Sequence, residues 1–222
     1  EELRDANQDG GEAKVMWPNL VRRHAETVGQ IAQIASKAIS ASLPGDPDGI
    51  CNVSEAAHSS LRAAREWKTE FGHADVHINP TPEIHGSPAE FVCRGNTAQL
   101  ERVLLNLLIN SVEHATDDGL RDHVEVSMGI RTGPLTEDVK DEIILRYGKG
   151  TISDFRTGCF TISLKDTGPG IPGAIRDDIF EPLFSTKEGA DVQGSGLGLA
   201  ISRGLIEGSF GGLLYVAHAP RF

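Results

Sequence analysis

Hydrophobic positions along this chain keep two rhythms, one near 3.6 residues and one of two, and their alternation predicts most of the elements. Val21, His24, Val28, Ile31, Ala35 and Ala38 recur in three- and four-residue steps, a helical seam of the kind that packs in a bundle or coiled coil. Two prolines and two glycines in "LPGDPDG" (43–49) stop that helix and mark a domain boundary. "NVSEAAHSSLRAAREWKTEFG" predicts a second helix, with Ser54 as its N-cap and Gly72 as its stop. "ADVHINP" and "EFVCRG" read as short strands. "NTAQLERVLLNLLINSVEHATDDG" carries the strongest helical pattern and is stopped by Gly119. Two longer strands, "HVEVSMGIR" and "CFTISLKD", flank an insertion over 131–158 that includes some helix. "AIRDDIF" then predicts a short helix, "GLGLAISRGLIEG" a helix opened by glycines, and "GGLLYVAHA" a last strand.

Composition narrows the classes. A formal net charge of −11 disfavours a nucleic-acid partner, which needs a basic surface. It leaves nucleotides open, because backbone donors and a divalent cation can hold phosphates on an acidic protein. Cys51, Cys93 and Cys159 are widely spaced and odd in number, so they suggest neither a disulfide framework nor a zinc site and suit a reducing cytosol. The sequence carries no long apolar stretch, so no membrane contact is expected within it.

Three stretches carry candidate chemistry. In the strongest helix Leu100, Val103, Leu104, Leu107 and Leu108 form an apolar face. Asn106, Asn110 and Glu113 repeat at i, i+4 and i+7 and share another. Asparagine is a poor helix former, so two of them one turn apart are either a buried amide pair or oxygen ligands for magnesium. The second stretch, "DTGPGIP" (166–172), ends a strand on a carboxylate and turns with two glycines and two prolines. The third, "GSGLGLAISRG", opens a helix with Gly194, Gly196 and Gly198, where bare N–H groups can meet an anion. Its spacing fits no Rossmann fingerprint, and the chain has no P-loop and no protein-kinase HRD or DFG signature.

An Asn-bearing helix, "DTGPGIP", "IFEPLFSTKEG" and "GSGLGLAISRGLIEGSFGG", in that order over residues 53–218, resemble the N, G1, F and G2 boxes of sensor histidine kinases of the GHKL superfamily. The resemblance implies an α+β fold, a two-layer α/β sandwich whose mixed sheet is covered by helices on one face, preceded by a dimerisation helix. It divides the chain into a partial helical dimerisation and phosphotransfer region (1–49) and a catalytic ATP-binding domain (50–222). By the same resemblance, ATP is the substrate and Mg2+ the cofactor. Asp166 receives the adenine amino group, Gly168 and Gly170 let the loop pass close to the nucleotide, and Asn110 is the magnesium ligand. Gly194, Gly196, Leu197 and Gly198 line the phosphates, and Lys187 reaches the terminal phosphate from a mobile lid. The lesser alternative for Lys187 is a solvated surface lysine, and His114 either stacks partly on adenine or is simply buried. Asn106 stands where gyrase- and MutL-like ATPases carry a water-activating glutamate. An amide cannot serve as that base, which favours transfer to a protein side chain over hydrolysis.

Glu113 replaces the Lys or Arg common in the family, and with the "STK" form of the F box it resembles the nitrogen-regulation subtype. Phe180 and Phe184 are expected to pack the lid base. The implied activity is transfer of the γ-phosphoryl group to a histidine, for relay to an aspartate of a response-regulator receiver domain. The protein would work as a homodimer through its N-terminal helix, in the cytoplasm, free or as the cytosolic portion of a membrane-bound receptor. His24, in "RRHAET", lacks the acidic neighbour usual beside a phosphoacceptor, and His58 lies in the helix that begins the catalytic domain. The alternative is therefore a degenerate nucleotide-binding module that signals through dimer geometry without phosphotransfer.

Overall fold

The computed structural model describes residues 49–73, 75–86, 91–115, 124–133, 137, 140–141, 143, 159–184 and 196–217. The N-terminal seam at 21–38, with His24, and the boundary at 43–48 lie outside the described residues. In chain order the elements are β1 (Ile50–Asn52), α1 (Val53–Glu70), β2 (Val76–Ile78), β3 (Glu83–His85), β4 (Val92–Arg94), α2 (Thr97–Ala115), β5 (Val124–Gly133), β6 (Cys159–Asp166) and α3 (Gly198–Ser209).

β5 is the spine of a four-stranded mixed sheet. β2 and β3 run parallel to it, pairing Val76 with Val124 and Glu83 with Gly129. β6 runs antiparallel to it, from Val126 opposite Asp166 to Gly133 opposite Cys159. The two-residue period of β5 sends Val124, Val126, Met128 and Ile130 inward, each at most 1 % exposed, while Glu125 and Arg131 face outward. That buried row joins the apolar faces of α1 and α2 in one core containing Leu61, Leu100, Leu104, Leu108 and Val112. The fold is α+β, a mixed sheet packed against helices, as expected. Truncating a core residue such as Leu104 to Ala costs about 2–5 kcal/mol by lost burial and the cavity left behind.

α1 is capped by Asn52, whose Oδ1 accepts the Glu55 N–H at 3.1 Å. Ser54 lies inside the helix and is not the cap. Gly72, at φ +79°, follows the end of α1 as expected, and the Lys68 ammonium ties that end to the Val76 carbonyl. In α2 the inward face differs by one residue from the pattern, because Leu107 is only half-buried and Val112 completes the stripe.

Two strands, β1 and β3, were not marked by the sequence pattern; each is three residues long. β1 pairs with β4 in a separate antiparallel ladder that sets Cys51 opposite Cys93. "AIRDDIF" forms two 3-10 turns, Gly173–Ile175 and Asp178–Phe180, rather than one helix. The expected last strand is not formed over the described residues 211–217. The Gly212 N–H instead closes back onto the Ile206 carbonyl at 2.9 Å, so the chain turns off the end of α3 there. Within the insertion Glu137, Lys140, Asp141 and Ile143 are helical, and Ile143 is buried.

Candidate functional site

α2 is the wall of the site, and its two asparagines have different surroundings. Asn106 Nδ2 donates to Ser202 Oγ at 3.0 Å, joining α2 to α3. A Cβ at Gly198, one turn earlier in α3, would come within 2.5 Å of Asn106 Oδ1. Gly198 thus leaves room for the Asn106 amide, which a side chain there would have to displace. Asn110, one turn further along α2, is half-buried, and its side chain makes no hydrogen bond to another described residue. The two amides therefore differ: Asn106 joins two helices, and the Asn110 side chain takes no part in that contact. His114 is exposed at the last turn of α2 and Glu113 is half-buried beside it.

The loop after β6 is held by its own side chains. Thr167 extends the ladder, donating its N–H to the Glu125 carbonyl at 3.1 Å and accepting the Glu125 N–H on Oγ1 at 3.0 Å. Asp166 Oδ1 accepts the Gly168 N–H at 3.0 Å, an Asx turn that leaves the second carboxylate oxygen outside this bond. Gly170 is left-handed at φ +77°, a conformation that L side chains rarely adopt. Arg176 Nε donates to the Ile171 carbonyl at 3.1 Å and fixes the loop's far side.

The opening of α3 is pinned to the end of the "EPLF" turn. Leu183 N–H donates to the Gly196 carbonyl at 2.9 Å, and a Cβ on Gly196 would come within 2.7–2.9 Å of Leu183 backbone atoms. Both residues are left-handed, Leu183 at φ +66° and Gly196 at φ +63°. Leu197 is the N-cap of α3, and its carbonyl accepts the Ile201 N–H at 2.9 Å. Phe180 is buried, with the Arg203 guanidinium 5.3 Å from its ring centroid. Gly194 and Lys187 lie outside the described residues.

α2 thus contacts both β6, which ends in Asp166, and α3, which begins with Gly198. Between residues 95 and 221 the chain matches the model of the histidine kinase-, DNA gyrase B- and HSP90-like ATPases. The chain belongs to that family. Similar proteins include the sensor kinase CckA of Brucella abortus, 30% identical over 122 residues, 55% of this chain and 11% of that one. The sensory histidine kinase/phosphatase NtrB of Klebsiella oxytoca is 33% identical over 111 residues, 49% of this chain and 25% of its own. The matched part thus spans a quarter or less of the length of these two relatives. Among solved structures the catalytic domain of histidine kinase ThkA superposes with a TM-score of 0.52 at 19% identity, covering 77% of this chain and 87% of that one. That likeness concerns the fold. The chain carries a histidine-kinase-type ATP-binding catalytic domain.

The donor set fits a nucleotide with magnesium. Among the described residues no group of three His, Cys, Asp or Glu could cage a metal. Magnesium is often held instead by one or two protein oxygens, its waters and substrate phosphates, and the Asn110 amide oxygen suits that role. Ser202 and Leu183 are the participants that sequence reasoning missed. The only hint of Ser202 was a small hydroxyl four residues after Gly198 in an apolar helix. No sequence signal marks Leu183, because its role comes from a backbone contact.

Proposed function

We propose that this chain is the catalytic part of a two-component sensor histidine kinase. It binds Mg-ATP and transfers the γ-phosphoryl group to a histidine, from which a response-regulator aspartate takes it. The observation that carries this reading is the different engagement of the two α2 amides. The Asn106 amide is joined to Ser202, and the Asn110 side chain makes no hydrogen bond to another described residue. Asp166 recognises the adenine amino group through the oxygen not used by Gly168, and the α3 N-terminus with Gly196, Leu197 and Gly198 faces the phosphates. Lys187 and Gly194 complete the phosphate contacts in this reading.

Asn106 is an amide and accepts no proton from water, which supports transfer to a protein side chain over hydrolysis. Catalysis then rests on positioning and charge neutralisation. Glu113 and the "STK" stretch support the nitrogen-regulation-like subtype within this reading. Residues 1–49 form part of the dimerisation region, and self-association through the Val21–Val28–Ile31 seam yields the homodimer in the cytoplasm. Among the described residues no helix is long and apolar enough to cross a membrane.

The deciding experiment supplies γ-labelled ATP and magnesium to the chain together with a separately produced dimerisation hairpin from the same kinase. Acid-labile, base-stable label on the hairpin histidine, absent with Asn110→Ala, is the expected result. Nucleotide binding with no label on that hairpin would replace this reading with a nucleotide-gated module that signals through dimer geometry.

A further inference from the structure

Cys51 and Cys93 are far apart in sequence and directly opposite each other in the β1–β4 ladder. The Gly95 N–H donates to the Gly49 carbonyl at 3.0 Å on one side of the pair, and the Val53 N–H to the Phe91 carbonyl at 2.9 Å on the other. Stepping two residues along an antiparallel ladder from either bond reaches Cys51–Cys93, so it has the hydrogen-bonded parity, for which Cα atoms lie about 5.5 Å apart. That separation is inside the roughly 4.4–6.8 Å range of disulfides. Opposite residues also share a face, with Cβ atoms about 4.5–5.5 Å apart, whereas a disulfide needs about 3.5–4.5 Å. Closing the bond from the wider, hydrogen-bonded parity therefore asks the Cβ atoms to draw together by about 1–2 Å, and a bond closed under strain is readily reduced.

The thiols already interact. The Cys93 S–H donates to the Cys51 sulfur and holds Cys51 below the usual thiol range, against the opposing effect of its burial. The same bond, with burial, holds Cys93 well above that range. Cys51 is fully buried and Cys93 half-buried, so a small reagent reaches the pair from the Cys93 side.

We propose that Cys51 and Cys93 are a modification site, forming a reversible disulfide across β1 and β4 with a small-molecule disulfide as oxidant. Cys93, on losing its proton, attacks one sulfur of the oxidant, whose S–S bond breaks and releases one small thiolate. Cys51 then attacks the Cys93 sulfur of the mixed disulfide and expels the second. The two protons lost by the cysteines end on the two released thiols, and two electrons pass to the oxidant.

The position of the bond gives it consequence. β1 is the segment by which residues 1–49 enter the domain, and β4 leads into α2, which bears Asn106 and Asn110. The Asn52 N–H already donates to Thr97 Oγ1 at 3.2 Å, between β1 and the first residue of α2. A covalent link here fastens the entering chain to the root of the asparagine helix.

The test holds the 222-residue chain in buffers of rising oxidised-to-reduced glutathione ratio, quenches with acid, alkylates in denaturant and reads the products by mass spectrometry. The expected result is a Cys51–Cys93 linked peptide with Cys159 still alkylated, reversed by dithiothreitol. The link should form several-fold less readily in denaturing urea, where the register is lost. Full alkylation of Cys51 and Cys93 at the most oxidised ratio overturns the proposal, as does a link that includes Cys159 or forms equally well in urea. The reading is made on the unsubstituted chain, so it does not depend on a cysteine variant folding.

Discussion

Asn106 Nδ2 donates to Ser202 Oγ across 3.0 Å, tying the middle of α2 to the second turn of α3. The approach depends on Gly198, since a Cβ there would come within 2.5 Å of Asn106 Oδ1. One amide thus meets the open backbone at Gly198 and the buried hydroxyl of Ser202. Under the proposed reading this contact sets the angle at which the α3 N-terminus faces the phosphates.

Two substitutions probe the contact in different ways. Ser202→Ala removes the acceptor and is expected to cost about 0.5–1.5 kcal/mol, the usual net worth of such a bond. Gly198→Ala keeps the bond chemistry but inserts a methyl against Asn106, and overpacking of this kind costs about 1–3 kcal/mol. Urea unfolding measures both, and ATP titration should show the larger affinity loss for Gly198→Ala. Wild-type stability and affinity in both variants would show that the two helices are not coupled through Asn106.

Gly196→Ala should be more damaging than Gly198→Ala. Its methyl would meet the Leu183 backbone, which cannot move aside as a side chain can, and φ +63° is unfavourable for alanine. The left-handed conformation alone costs about 1–2 kcal/mol. The Leu183–Gly196 bond joins the two ends of the 185–195 segment, so the loss should include faster proteolysis within that segment. Limited proteolysis with mass analysis of the fragments reads this directly. An unchanged cleavage rate would separate the contact from closure of the segment.

Asn52→Ala tests the entry of the domain away from the nucleotide residues. Asn52 Oδ1 accepts the Glu55 N–H at the start of α1, and losing such a cap costs about 1 kcal/mol. The expected outcome is a lower urea midpoint with ATP affinity retained. If affinity falls as well, α1 is coupled to the site.

Long periodic segments and the order of the four motifs were legible because each is a local property. α1, α2, β5, β6 and α3 all stand where the patterns placed them. What escaped depends on contacts between distant residues. Asn52 rather than Ser54 caps α1 because the preceding residues pair with β4 and carry Asn52 to the helix entrance. β3 follows Pro80 and Pro82, which read as a break, and it exists because β5 offers it an edge. The Cys51–Cys93 pair was hidden for the same reason: its spacing in sequence carries no sign of a shared ladder. Of the candidate site, the pattern placed Asn106 and Asn110 on α2, Asp166 at the end of β6 and Gly198 at the start of α3, where they stand. The Asn106–Ser202 bond was not legible, because Ser202 approaches from another helix far along the chain.

The sharpest prediction separates base recognition from metal dependence. Asp166 Oδ1 is already bonded to the Gly168 N–H, so in the proposed reading only its second oxygen meets the adenine amino group. Asp166→Asn can keep an oxygen on Gly168 while turning an NH2 group toward that amino group, donor against donor. The loop should survive and ATP and ADP should bind equally weakly. A lost hydrogen bond to a charged group is worth about 1.5–3 kcal/mol, so the loss is about tenfold to a hundredfold. The same NH2 suits the carbonyl that guanine carries at that position, so the preference for ATP over GTP should narrow. Asp166→Ala should lose both the loop bond and the base contact and be less stable than Asp166→Asn. Asn110→Ala should behave differently, binding nucleotide with little response to added magnesium and no change in base preference. Calorimetry with ATP, ADP and GTP, each with and without magnesium, reads all of these. ATP binding at wild-type strength by Asp166→Asn would remove Asp166 from base recognition, whatever Asn110 does.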